Sequence, residues 1–187
     1  MKILGKSKRI DKDFLEISLS ELISITGGVI AGLFLLNITK SFDTLLGLFI
    51  LFPGLLEMHG NIYGSLSARI STSLWSGRLK LKEDRNKFIR ENIFAALFLV
   101  LGVSFVLGVI SYLFILITFK ASSFSIIIVS VLSSLIGSLI EIPLTIYTTF
   151  WLFKHNFDPD DIMGPYVTTI GDIISVISIV IVVKMLI

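Results

Sequence analysis

The sequence predicts an all-α membrane protein with five transmembrane helices, its N-terminus in the cytoplasm and its C-terminus outside. Three observations carry that prediction. Hydrophobic residues make up 54% of the 187-residue chain, above the roughly 45–50% of a soluble domain, and mean hydropathy is +0.93. The apolar residues are gathered into long runs, as bilayer-crossing helices require. The basic residues fall mostly in alternate connecting segments. One compact membrane domain fits the length, with no room for a sizeable soluble domain as well.

Residues 1–21 come first. "MKILGKSKRIDKDFLEISLS" is basic but lacks a short apolar core followed by a small-residue cleavage site. It reads as a cytoplasmic leader lying along the membrane surface and not as a signal peptide. Residues 22–187 form the membrane domain. Its first span, Leu22–Ile38, is short and carries a G-x-x-x-G pair at Gly28 and Gly32, a pattern that lets helices approach closely. The second span is Leu45–Leu66, with a like pair at Gly60 and Gly64. The third, Ile93–Phe119, and the fourth, Phe124–Phe153, exceed the roughly 20 residues that cross a core of about 30 Å, so they tilt or extend beyond it. The fifth is Val167–Ile187.

Orientation follows from lysine and arginine. Lys2, Lys6, Lys8, Arg9 and Lys12 precede the first span. A run of basic residues from Arg69 to Arg90 separates the second and third, and Lys154 lies between the fourth and fifth. Lys40, Lys120 and Lys184 fall on the other side. The positive-inside rule places the N-terminus in the cytoplasm, and an odd number of spans places the C-terminus outside.

Several residues do not belong in lipid. Glu57, Glu141 and Asp172 each sit within a predicted span, where one central charge costs about 2.5–3.5 kcal/mol if lipid-facing. Their neighbours supply polar company at helical spacing: Gly54, Glu57, Asn61 and Gly64 on the second span; Ser134, Gly137, Glu141, Thr145 and Thr148 on the fourth; Thr168, Asp172 and Ser175 on the fifth. Three helices thus each offer a polar stripe with one carboxylate. Pro53 and Pro143 lie close to two of them, and irregular backbone at membrane depth is tolerated where it lines a cavity. Oxygen donors of these kinds suit a hard cation such as Mg2+ or Ca2+. Cysteine is absent and there are 2 histidines, so a soft-metal site and a disulfide frame are not expected.

Other features read more plainly. His59 reads as a packing residue. The loop "SGRLKLKEDRNKFIREN" reads as a solvated connector meeting anionic lipid heads. It interleaves Glu83, Asp84 and Glu91 among its basic residues and lacks an aromatic platform, so no nucleic-acid partner is expected. Asp158, Asp160 and Asp161 either attract cations at the cytoplasmic mouth or simply build an Asp-Pro turn.

Two stretches carry a family resemblance. "PGLLEMHGNIYGSLSARISTSLWSGRL" resembles the first signature of the MgtE-type divalent cation transporters, most closely their eukaryotic solute-carrier branch, through Pro53, Gly60, Asn61, Ala68, Arg69, Ser71 and Thr72. "FDPDDIMGPYVTTIGDI" resembles the second signature, through Asp158, Pro159, Pro165, Thr168, Thr169 and Asp172. The resemblance extends from the first span through the fifth. It implies a five-helix domain working as a homodimer, with a pore at the two-fold axis and Mg2+ or a related divalent cation as the transported ion. It implies no organic cofactor and no enzymatic activity. By the same resemblance Asp172 helps hold hydrated Mg2+, the backbone carbonyl of Thr168 assists, and Gly60 and Asn61 line the pore. Glu57 and Glu141 join the candidate cation-binding set on the strength of their intramembrane position.

The chain departs from the bacterial pattern in two ways. Only residues 1–21 precede the first span, so the cytoplasmic magnesium-sensing modules of bacterial members are not expected. Glu57 stands where the family pattern leads one to expect a small or apolar residue. Two other classes compete with transport: a membrane-embedded, metal-dependent lipid enzyme, and a non-transporting assembly subunit that uses the polar stripes for helix contacts. The acids stand apart on three helices without a basic pocket, which argues against the enzyme.

Overall fold

The structure, a computed structural model, describes residues 2–36, 47–80, 82–121 and 123–186. Five long helices account for nearly all of them: α1 (Lys2–Leu36), α2 (Leu48–Trp75), α3 (Lys82–Phe119), α4 (Ser125–Lys154) and α5 (Pro159–Leu186), with a short 3-10 turn at Arg78–Lys80. The predicted span ends at Ile38, Leu45 and Ile187 lie outside the described residues. Even the shortest helices, with 28 residues, are about 42 Å long at 1.5 Å per residue and can cross a bilayer core.

Four stretches are long and apolar enough to do so: Lys12–Leu33, Lys87–Phe119, Ser125–Lys154 and Pro159–Leu186. The fifth helix, α2, has the length without the same apolarity. Pro53, Glu57, His59, Gly60, Asn61 and Gly64 interrupt its apolar run. What α2 has instead is a divided surface. Leu51, Leu55, Leu66 and Ile70 recur near helical spacing and are fully buried, while Glu57, Asn61, Ser65, Arg69 and Thr72 are exposed on the other side.

The helices pack in a simple order. α2 touches α3, α4 and α5; α4 lies between α3 and α5; α1 packs on α5. Small polar residues join them at close quarters, as is common where no hydrophobic drive brings helices together. Ser67 of α2 and Thr149 of α4 share a buried hydrogen bond of 2.8 Å. Ser130 of α4 donates to the Ser104 carbonyl of α3. Pro165 inside α5 has no N–H to offer the carbonyl of Asp161 one turn earlier. Ser20 of α1 reaches that carbonyl at 3.4 Å.

α1 runs unbroken through residues 21 and 22, so the segment before the predicted first span is helical and in line with it. Lys12 ties this part down: Nζ donates to the Asn156 carbonyl in the α4–α5 turn at 3.0 Å and pairs with Glu16 at 3.0 Å. The close approach of α1 uses Gly27, which packs on Thr169; Gly28 and Gly32, expected to serve packing, face open space within the chain. Left-handed backbone follows three of the helices: Gly77 after α2 with φ 71, Lys120 after α3 with φ 52 and Asn156 after α4 with φ 61. Glycine and asparagine accept this conformation at low cost.

The outer surface is lipid-like. Phe98 is 80% exposed and Ile117 76% exposed on α3, large apolar groups that a bilayer would cover.

Candidate functional site

The exposed polar face of α2 meets the first half of α5. Between them lies a groove of about 500 Å3, lined by Pro53, Leu56, Glu57, Gly60 and Asn61 from α2 and by Gly164, Thr168 and Asp172 from α5. The two stripes come together because the helices are in close contact here. A Cβ added to Gly60 would lie 3.3 Å from Thr168 Oγ1, so glycine is what lets the Thr168 hydroxyl sit against α2. Each stripe then supplies one carboxylate to the same cleft.

Local hydrogen bonds arrange the groups. Asn61 Nδ2 donates to Glu57 Oε1 at 3.0 Å, one turn along α2. That bond holds the carboxylate toward the groove and leaves its second oxygen available. Thr168 Oγ1 donates to the Gly164 carbonyl at 3.1 Å, so the hydroxyl proton is spent locally and the oxygen lone pairs face outward as acceptors. Glu57 is exposed and Asp172 half-buried. Neither has an ion-pair partner among the described residues. The groove is therefore acidic, uncompensated and built of oxygen donors, which is the chemistry of a hard cation.

Five of the six sequence-predicted residues, Glu57, Gly60, Asn61, Thr168 and Asp172, line this groove. Glu141 does not. It is 3% exposed, behind α2, with Oε1 at 3.0 Å from His59 Nδ1. The polar stripe of α4 points into the helix bundle, since Ser134, Gly137, Glu141 and Thr145 are all buried. Helical spacing identifies a shared face but not what the face meets, so spacing alone does not separate Glu141 from Glu57.

Leu56 and Gly164 were not singled out in the sequence. Gly164 had a signal: it stands one turn before Thr168 and two before Asp172, on the same stripe. Leu56 had none beyond its neighbour Glu57. His59, read as a packing residue, is buried at 1% exposure and is the partner of Glu141.

No group of three or more His, Cys, Asp or Glu side chains is placed to hold a metal ion among the described residues. The groove of one chain holds two carboxylates and an amide, not a closed cage. That suits Mg2+, which sheds water reluctantly and is commonly held by one or two carboxylates plus retained water.

The family model of the MgtE divalent cation transporters matches residues 52–182, a stretch that takes in both walls of the groove. No curated protein and no solved structure matches the chain. The chain is a multi-pass integral membrane protein and belongs to the MgtE family of divalent cation transporters.

Proposed function

We propose that this chain carries Mg2+ or a related divalent cation across the membrane along the α2–α5 groove, within a homodimer whose pore lies at the two-fold axis. In this reading all five helices cross the bilayer, with the N-terminus in the cytoplasm. The observation that carries it is the groove itself: Glu57, Asn61 and Asp172 converge on one open cleft between helices of membrane-crossing length. Such groups are not left facing lipid. A second copy laid across the groove would close it and bring two more carboxylates to the axis.

Each residue has a distinct part. Asp172 is the principal carboxylate, half-shielded and without a competing cation. Glu57 adds a second negative charge, held in place by Asn61. Gly60 keeps the passage clear, and Thr168 and its backbone supply neutral oxygens. A hydrated ion can be gripped through its water shell, so that it is attracted without being fully stripped and can leave again. Glu141 acts from behind the groove and not within it.

The test is Mg2+ flux into proteoliposomes, comparing wild type with Asp172→Ala, with and without a sodium gradient. Flux that depends on Asp172 is expected. Unchanged flux in the variant would remove Asp172 from the route. No divalent flux from folded, dimeric wild-type protein would overturn the proposal and favour an assembly role; turnover of lipid without ion flux would favour an enzyme. A flux that follows the sodium gradient would mark a sodium-coupled exchanger; one indifferent to it leaves a channel or a proton-coupled exchanger.

A further inference from the structure

Behind the groove, on the opposite side of α2 from Glu57 and Asn61, is a second polar cluster. His59 of α2 is 1% exposed and Glu141 of α4 is 3% exposed. His59 Nδ1 lies 3.0 Å from Glu141 Oε1 and shares a hydrogen bond with the Ser175 hydroxyl of α5. Three helices each contribute one member. The His59–Glu141 contact is a close charge approach without hydrogen-bond alignment, so the directed bond of the cluster is that between His59 and Ser175. His59 Nε2, both Glu141 oxygens and the hydroxyl of Tyr63, whose ring lies 5.5 Å from the imidazole, have no hydrogen-bond partner among the described residues.

Two glycines make the room. A Cβ on Gly137 would lie 3.2 Å from His59 Cε1, and one on Gly171 would lie 3.2 Å from Glu141 Oε2. Gly171 immediately precedes Asp172, and Ser175 stands one turn after it. On α2, His59 sits between Glu57 and Asn61 in sequence. The pair therefore grips the back of the same two helical segments whose fronts form the groove.

Cohesion does not explain such a pair. Desolvation offsets most of what a buried ion pair or polar pair gains, and apolar side chains of similar size often hold as well or better. What apolar packing lacks is direction. Turning α2 by a single residue step, about 100°, would carry His59 away from Glu141 and swing Glu57 and Asn61 out of the groove together.

We propose that His59 and Glu141 are positioning residues: with Ser175 they set the spacing and rotation of α2 against α5, and through that the ion specificity of the groove. The inference rests on the cation route proposed above. Mg2+ keeps several waters in a rigid, near-octahedral shell, whereas Ca2+ accepts more ligands in a looser arrangement. A groove of fixed width fits the rigid hydrated shell, so loosened walls cost Mg2+ more than Ca2+. Partners that orient ligating groups account for about 10–100-fold in metal affinity or activity.

The chain has 0 cysteines, so Thr72→Cys and Asp160→Cys introduce one pair of spin-label sites per chain. Both positions are exposed, near the facing ends of α2 and α5 and outside the groove. Labelled chain diluted into excess unlabelled chain reports the distance within one protomer. The variant is His59→Leu/Glu141→Met, read for that distance and for Mg2+ over Ca2+ selectivity of flux in proteoliposomes. A broadened distance distribution is expected, with selectivity falling about tenfold through a raised KM for Mg2+ and a Vmax little changed. Glu141→Gln keeps the shape and an acceptor oxygen and should retain both properties. If the double variant does not fold, Glu141→Ala against Glu141→Gln makes the same comparison at one position. A double variant with wild-type distances and wild-type selectivity overturns the proposal. So does a Glu141→Gln protein that loses selectivity at unchanged distances, because charge and not spacing would then be acting. Absence of any wild-type divalent flux would overturn the cation route instead, and unchanged distances in the double variant would still overturn the positioning role.

Discussion

Adding one methyl group at Gly27 tests how α1 is seated. A Cβ there would fall 1.9 Å from Thr169 Cγ2, whereas carbon atoms in good contact sit about 3.5–4.0 Å apart. The two surfaces must separate by about 1.5–2 Å to reach that distance, or Thr169 must rotate. Rotation is resisted, because Thr169 Oγ1 donates to the Pro165 carbonyl at 2.8 Å and β-branched side chains are stiff in helices. Overpacking of this kind costs about 1–3 kcal/mol. The better helix propensity of alanine returns about 1 kcal/mol of that, so Gly27→Ala should be destabilised by roughly 1 kcal/mol, a fall of about 2–4 °C in Tm for a chain of this size. Thr169→Ser removes Cγ2 and keeps the hydroxyl. Thermal unfolding of wild type, both single variants and Gly27→Ala/Thr169→Ser closes the cycle. The coupling should be favourable by about 1 kcal/mol, well outside the few tenths expected of independent sites. Strict additivity would refute the close approach of α1 and α5 at this point.

Other outcomes follow from single contacts. Gly77→Ala places a Cβ at φ 71 and should cost about 1–2 kcal/mol in an unfolding measurement, with Gly77→Asn losing less. Ser67→Ala should cost about 0.5–1.5 kcal/mol, and combining it with Thr149→Val should cost less than the sum, since both remove the same 2.8 Å hydrogen bond. Glu57→Gln keeps the Asn61 contact but removes a charge from the groove. An interaction of about 1–2 kcal/mol with a divalent ion through water implies a KM for Mg2+ raised roughly five- to thirtyfold, read from flux in proteoliposomes.

Much of the site was legible because a helix repeats its face every three to four residues. Glu57 with Asn61, and Thr168 with Asp172, are each one turn apart, and nothing but helix geometry is needed to put each pair on one side. The same geometry placed Glu141 in a stripe with Gly137 and Thr145, and that stripe is real. Its destination was not legible. A polar face of a membrane helix can meet a passage, a partner chain or another polar group of its own chain, and the local pattern is identical in all three. His59 shows the converse. It lies two residues from Glu57, which turns it to the opposite side of α2, but a lone histidine announces no partner when that partner is 82 positions away in Glu141.

The glycines divide in the same way. Gly60, a packing glycine by its spacing and a pore-lining one by the family resemblance, lies close against Thr168, yet Gly28 and Gly32 match the same spacing and face open space, while neighbouring Gly27 takes the contact. The helical membrane class and the polar faces of α2 and α5 were decided by the sequence alone, because apolar run length and helical period are properties of each segment by itself. Which face meets which, and therefore that Asp172 and Glu57 share a groove while Glu141 is closed in with His59, was decided only by the tertiary structure. The crossing of two helices depends on the fit of side chains far apart in the chain, and no periodicity within one segment encodes it.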